Sequence, residues 1–275
     1  MVKKFSVWLL MLVCAAVLIA SCKGKKKPPP EDDGGATAKQ TYASKGDEGE
    51  IKGVINFDGT LTPPKRIDMG QDPNCAKAGG SALADETLVE SGKLQNAFVY
   101  LKGGPADRFS FPTPSEPVVL DQVGCRYTPR ILGLMTNQTL KVLNSDQTTH
   151  NVHPSPKKNP EWNQVQSANG APIEKKFKNP ETLIQVKCNQ HPWMTAWLGV
   201  LGHPFYSVSA KDGTFSIKDV PPGDYTLVAY HEVLGEKTQK VTVGARGTVT
   251  QDFSFSPKAA FVPTSLQVEP ALVLP

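Results

Sequence analysis

Cys188-Asn189-Gln190-His191-Pro192-Trp193-Met194 sets a thiol, an imidazole and a thioether within seven residues, directly after a segment that alternates. From Thr182 to Cys188, Ile184, Val186 and Cys188 share one face, while Leu183, Gln185 and Lys187 share the other. That two-residue period is the mark of a half-buried strand. Cys188 therefore leaves the strand facing inward, and Pro192 stiffens the short loop behind it. Trp197 to Leu201 reads as the returning strand. Upstream, Leu140 to Leu143 is a short apolar strand that leads through Asn144-Ser145-Asp146 to His150-Asn151-Val152-His153. Loops of this kind hold their shape on a β framework, and the expected fold class is all-β. The 24 Pro and 23 Gly, spread among Val and aromatics, suit a chain rich in strands and turns.

The donor types point to a metal. A thiolate and two imidazoles in a trigonal set, with a weak thioether on the axis, is the donor set of a type 1 (blue) copper site. His150, Cys188 and His191 are the expected equatorial ligands of one copper ion, with Met194 axial. Zinc normally takes four strong nitrogen, sulfur or carboxylate ligands, and the pattern offers no fourth. His153 is read as a surface or supporting residue, and His203 and His231 as structural. A nucleophilic Cys188–His191 pair has no orienting acid or oxyanion pattern beside it, so the chain is not expected to be an enzyme. Other classes lose support as well. The net charge of +4 is too small and mixed for a nucleic-acid binder. The phosphate-binding G-x-x-x-x-G-K-S/T, the dinucleotide G-x-G-x-x-G, the zinc-protease H-E-x-x-H and the haem-attaching C-x-x-C-H are all missing.

On these residues, the stretch from about 139 to 201 resembles the cupredoxins, and within them the amicyanin-like proteins, which carry a His-Asn-Val-His stretch and a short Cys-x-x-His-Pro-aromatic-Met loop. The resemblance implies a Greek-key β-sandwich over 117–205 and the ligand set just given. It gives Asn151 the role of tying the first ligand loop to the thiolate loop. It implies that the edge of His191, with Pro192 and Trp193, docks a redox protein such as a periplasmic cytochrome or oxidoreductase. The chain departs from the family at Val186, where an aromatic is usual, and at Thr195-Ala196-Trp197 after the methionine. The Pro- and Lys-rich span between His150 and Thr182 is expected to be a long surface loop.

A second pattern flanks the first. Asp212-Gly213 sits between alternating stretches as a hairpin signal, and Val220-Pro221-Pro222-Gly223-Asp224 is a turn feeding Tyr225 to Tyr230. With Ile51 to Gly59 and Leu94 to Leu101, this resembles the carboxypeptidase-regulatory-like (transthyretin-like) sandwich. The expected arrangement is one discontinuous small β-sandwich, 51–104 plus 206–256, with the copper domain inserted. Tandem domains are the alternative. Residues 257–275 form a C-terminal tail.

The start of the chain reads as an export signal. Lys3 and Lys4 precede an uncharged run from Phe5 to Ala20, too short to span a bilayer, and the run ends in Ile19-Ala20-Ser21-Cys22. This resembles the bacterial lipobox, which implies a lipoprotein signal peptide over 1–21, lipidation at Cys22 and a disordered tether over 22–50. The protein is then expected on the periplasmic or cell-surface side of a bacterial membrane, held through its lipid alone. Of the remaining cysteines, Cys75 and Cys125 are expected to form a disulfide, leaving Cys188 for chemistry. Two functions fit the copper set: an electron carrier, or a copper chaperone, storage or structural lipoprotein that never turns over.

Overall fold

The computed structural model describes residues 39–79 and 82–257. The expected signal peptide, the lipidation at Cys22 and nearly all of the 257–275 tail lie outside the described residues. Among the described residues, no helix is long and apolar enough to cross a membrane.

The fold is all-β and is built from two sandwiches. The first joins both ends of the described chain. Its central strand, Gly49–Phe57, pairs antiparallel with Thr214–Val220 and Lys93–Leu94, and parallel with Thr248–Thr250 and Phe253–Phe255. The facing sheet runs Tyr206–Val208, Phe98–Lys102, Gly223–His231, Gly235–Val243. Ile51, Ile55, Leu94, Leu101, Phe215, Leu227 and Phe255 fill the space between them. Segments 49–102 and 206–255 thus contribute strands to both sheets of one sandwich.

The second sandwich lies between those segments in sequence. One sheet runs Gln164–Gln166, His150–Ser155, Glu181–Lys187, Thr195–Leu201, Ile131–Met135. The other runs Ile173–Lys175, Leu140–Asn144, Val118–Gln122, Tyr127–Thr128. Leu120, Leu134, Val142, Val152, Ile184, Val186 and Leu198 make its core. The alternation expected after Thr182 holds from Ile184 onward. Leu183 takes a left-handed φ of 56°, and the pairing with Thr195–Leu201 slips between Glu181 and Ile184, so a bulge precedes the regular strand.

Three expectations need correction here. The span between His150 and Thr182 is no loop, because three strands run through it: His150–Ser155, Gln164–Gln166 and Ile173–Lys175. Pro154 is tolerated within the first of these strands. Pro154 lies past Val152, the last residue paired to Gln164–Gln166, so the strand has one neighbour there. The tether is shorter than 22–50. Tyr42 N donates to Ser110 O at 2.8 Å, and the Tyr42 ring lies 5.4 Å from Phe109 and 5.5 Å from Phe111. One aromatic side chain with a place to pack is enough to dock an otherwise polar segment. Finally, not all of 51–104 serves the first sandwich. Ile67, Met69, Cys75 and Ala82 pack into the core of the second, where the disulfide Cys75–Cys125, with Cα atoms 5.4 Å apart, holds them.

The sandwiches meet face to face. Phe98, Tyr100 and Val228 from one pack on Ile131 and Leu201 from the other, so the Phe98–Lys102 strand is buried on both sides up to Leu101. Two glycines admit the aromatic rings. A Cβ on Gly199 would stand 2.2 Å from Phe98 Cζ, and one on Gly133 would stand 2.3 Å from Tyr206 Cε2. Gly199→Ala is therefore expected to lower stability by about 1–3 kcal/mol or more, read as a lower urea midpoint at unchanged slope. Wild-type stability in that variant would mean the rings do not approach the strand so closely.

Candidate metal centre

Two strand ends and one outside segment build the centre. The Leu140–Asn144 strand stops where Asn144 turns its side chain onto the carbonyls of Thr148, Gln166 and Ser167 at 2.9–3.1 Å. This fixes the loop that delivers His150. On the other side, the Glu181–Lys187 strand ends at Cys188, and the loop closes tightly: Met194 N donates to His191 O at 2.9 Å and Cys188 N to Met194 O at 3.2 Å. Tyr127 bridges the two ligand-bearing strands, its hydroxyl donating to Asn151 O at 2.6 Å and lying 3.2 Å from Lys187 O.

His150, Cys188 and His191 come together, and each offers one ligand atom within 4.8 Å of the others. They are 0, 2 and 4% exposed. His150 Nδ1 lies 2.9 Å from His191 Nδ1, and Cys188 Sγ lies 3.6 Å from His191 Nδ1. A tetrahedral metal with bonds of about 2.0 Å to nitrogen and 2.3 Å to sulfur would separate a nitrogen and a sulfur by about 3.5 Å and two nitrogens by about 3.3 Å. Cys188 is the free cysteine among the described residues. Met194 is buried in the same core and joins the loop through its backbone. Asn151 Oδ1 accepts from Asn189 N at 2.7 Å and lies 3.4 Å from Cys188 Sγ, so it spans the two ligand loops. His153 stands at the rim, between Asn189 Oδ1 at 3.1 Å and Glu161 Oε1 at 2.6 Å.

Two residues that the motif does not reveal complete the site. Asp146 Oδ2 contacts His150 Nε2 at 2.9 Å, and Asp72 Oδ2 contacts His191 Nε2 at 3.2 Å. Burial opposes ionisation of Asp72. Hydrogen bonds from Thr148, the Cys75 and Asn74 amides and His191 outweigh it and hold the carboxyl down at about 2. For His150, burial is the largest influence and holds the imidazole below its ordinary value against the pull of Asp146. Each Nε2 thus faces a carboxylate oxygen, and the two Nδ1 atoms face each other and the thiol.

His191 differs from expectation in its surroundings. It does not project through an apolar surface patch. The segment carrying Asp72 and the helix Pro73–Gly79, stapled by the disulfide, covers it. Trp193 is likewise engaged, its indole N–H donating to Cys125 O at 3.0 Å. The sequence held a signal for one of the carboxylates: Asp146 stands four residues before His150, whereas Asp72 lies 119 positions from His191.

Comparison with known proteins adds the following. The family model described as polysaccharide lyase family 4, domain II matches residues 202–251. This falls in the first sandwich, and the family matched there is not the carboxypeptidase-regulatory-like one expected. No curated protein matches the chain. Among solved structures, the copper-containing nitrite reductase from Thermus scotoductus is similar at 18% identity and a TM-score of 0.29, over 36% of this chain and 27% of that one. The chain thus spans about a quarter of that enzyme. A purple cupredoxin from Nitrosopumilus maritimus is similar at 19% identity and a TM-score of 0.26, over 30% of this chain and 97% of that one. Amicyanin from Paracoccus versutus is similar at 17% identity and a TM-score of 0.27, over 32% and 83%.

Proposed function

We propose that the chain is an exported copper-binding protein in which His150 Nδ1, Cys188 Sγ, His191 Nδ1 and the Met194 thioether would hold one type 1 copper ion, and that it works in electron transfer. One observation carries this: two carboxylate-backed imidazoles bring their Nδ1 atoms within 2.9 Å of each other, beside a buried thiol. With the protons on both Nε2 atoms the facing lone pairs would repel, and a cation shared by the two nitrogens and the sulfur would relieve that repulsion. The mixture of soft sulfur and imidazole suits copper. Copper held there would supply one-electron exchange. The protein's part is to keep the donors fixed: Asn151 spans the two loops, the backbone bonds between Cys188, His191 and Met194 close the ligand loop, and the surrounding core excludes water. Asp72 orients His191, whose Nδ1 faces both Cys188 Sγ at 3.6 Å and His150 Nδ1 at 2.9 Å; we read the three as ligands of one metal and the protein as a carrier or binding protein and not an enzyme.

Export is supported by the Lys3–Ala20 leader pattern, the lipobox-like Ile19–Cys22 and a disulfide, which persists in oxidising compartments. Lipid attachment through Cys22 and a redox protein as partner belong to the same proposal. The second reading, copper storage or delivery without turnover, is favoured by the burial of His191 beneath Asp72, which takes that ring edge off the surface. Titration of the metal-depleted protein with Cu(II) tests the copper proposal: an intense visible band saturating at one equivalent is expected, and a colourless complex would overturn it. Met194→Ala is expected to keep the colour and shift the potential. Reversible reduction by a small redox protein would favour the carrier, and metal loss to an acceptor without turnover would favour storage.

A further inference from the structure

We propose that Asp72 is a positioning residue of the centre: it fixes the proton of His191 on Nε2, so that Nδ1 stays free for the metal, and the disulfide couples it to Asp146, which does the same for His150. This deepens the copper proposal and rests on it. Asp72 uses its two oxygens differently. Oδ1 accepts the amides of Asn74 at 2.8 Å and Cys75 at 3.2 Å, capping the helix that begins at Pro73. Oδ2 accepts the Thr148 hydroxyl at 2.7 Å and meets His191 Nε2 at 3.2 Å. Asp146 is held in a similar way, Oδ1 accepting Gly124 N at 2.7 Å and Oδ2 accepting Cys125 N at 2.8 Å. The two cysteines whose amides hold the carboxylates are bonded to each other. Asn74 Nδ2 donates to Gln147 O at 3.1 Å and ties the helix to the His150 loop as well. His191 is therefore set from outside the ligand loops, by a segment that precedes the second sandwich in sequence, and the disulfide links that segment to the Cys125 amide that holds Asp146 against His150.

This assignment makes a specific statement about Asp72→Asn. The two amides at Oδ1 demand an acceptor, so the asparagine oxygen must take that place. Its NH2 then occupies the place of Oδ2 and donates toward His191 Nε2. The imidazole proton has to move to Nδ1, where it blocks a ligand without removing a single heavy atom. In full-length protein freed of metal and labelled with 15N in histidine, wild-type His191 is expected to carry its proton on Nε2, and Asp72→Asn is expected to leave Nε2 bare. Copper affinity, measured by competition with a chelator and Cu(I) as the probe, is expected to fall by about 10–100-fold with unchanged circular dichroism.

A His191 still protonated on Nε2 in that variant would overturn the assignment, as would affinity within twofold of wild type. If the variant does not fold, the wild-type signal alone decides: protonation on Nδ1 and not Nε2 would overturn it. The nitrogen signals need no metal, so they report on Asp72 whether or not copper binds. Failure of the wild-type protein to bind copper would strike at the copper proposal instead.

Discussion

Cys188→Ser is expected to abolish the visible band of the copper-loaded protein and to lower copper affinity beyond the roughly 100-fold that loss of an outer partner costs. The substitution changes little else. Cys188 is 2% exposed, its Sγ contacts Asn151 Oδ1 and His191 Nδ1, and a serine oxygen fits the same space. A hydroxyl is a hard donor that keeps its proton at neutral pH, whereas a thiolate is soft and supplies the charge-transfer band. Folding should therefore survive while the spectrum disappears. Absorption and circular dichroism on the same sample check this. A variant that stays blue would place the copper elsewhere.

Glu232→Ala is expected to cost about 3 kcal/mol of stability, with a lower urea midpoint. Arg130 precedes the Ile131–Met135 strand of one sandwich, and Glu232 follows the Gly223–His231 strand of the other. Glu232 accepts from Arg130 Nε at 2.5 Å, from Arg130 Nη2 at 2.7 Å and from the Trp197 indole at 2.8 Å. Both charged side chains are nearly buried, at 7 and 6% exposure. Removing Glu232 leaves the guanidinium buried with Asp85 on Nη1 at 2.6 Å, which keeps the loss at the low end of the range for a broken buried pair. The double variant Arg130→Met, Glu232→Leu removes both charges and is expected to recover much of the loss. Equal stabilities for the single and double variants would show that the pair is not what joins the sandwiches.

The sequence made the ligand loop and its strand readable for a local reason. Ile184, Val186 and Cys188 repeat every two residues, and Cys188, His191 and Met194 lie within one turn-stiffened loop, so a short window contains the information. The first sandwich was readable in halves because Asp212-Gly213 and the Pro221-Pro222-Gly223 turn punctuate its strands locally. What escaped depends on distance. Asp72 reaches His191 across 119 positions, and nothing near either residue announces the contact. The three strands between His150 and Thr182 are short and interrupted by proline, and they exist because neighbouring strands offer them edges. The face where the sandwiches meet depends on Gly133 and Gly199, which read as ordinary strand interruptions until Phe98 and Tyr206 are seen against them. The burial of His191 follows from the same long-range contact, so a surface edge was the natural expectation from the loop alone.

X-ray absorption at the copper edge of the loaded full-length protein tests the centre most directly. A shell of one short sulfur and two imidazole nitrogens is the predicted result; a shell of nitrogen and oxygen alone, with no sulfur, would contradict it.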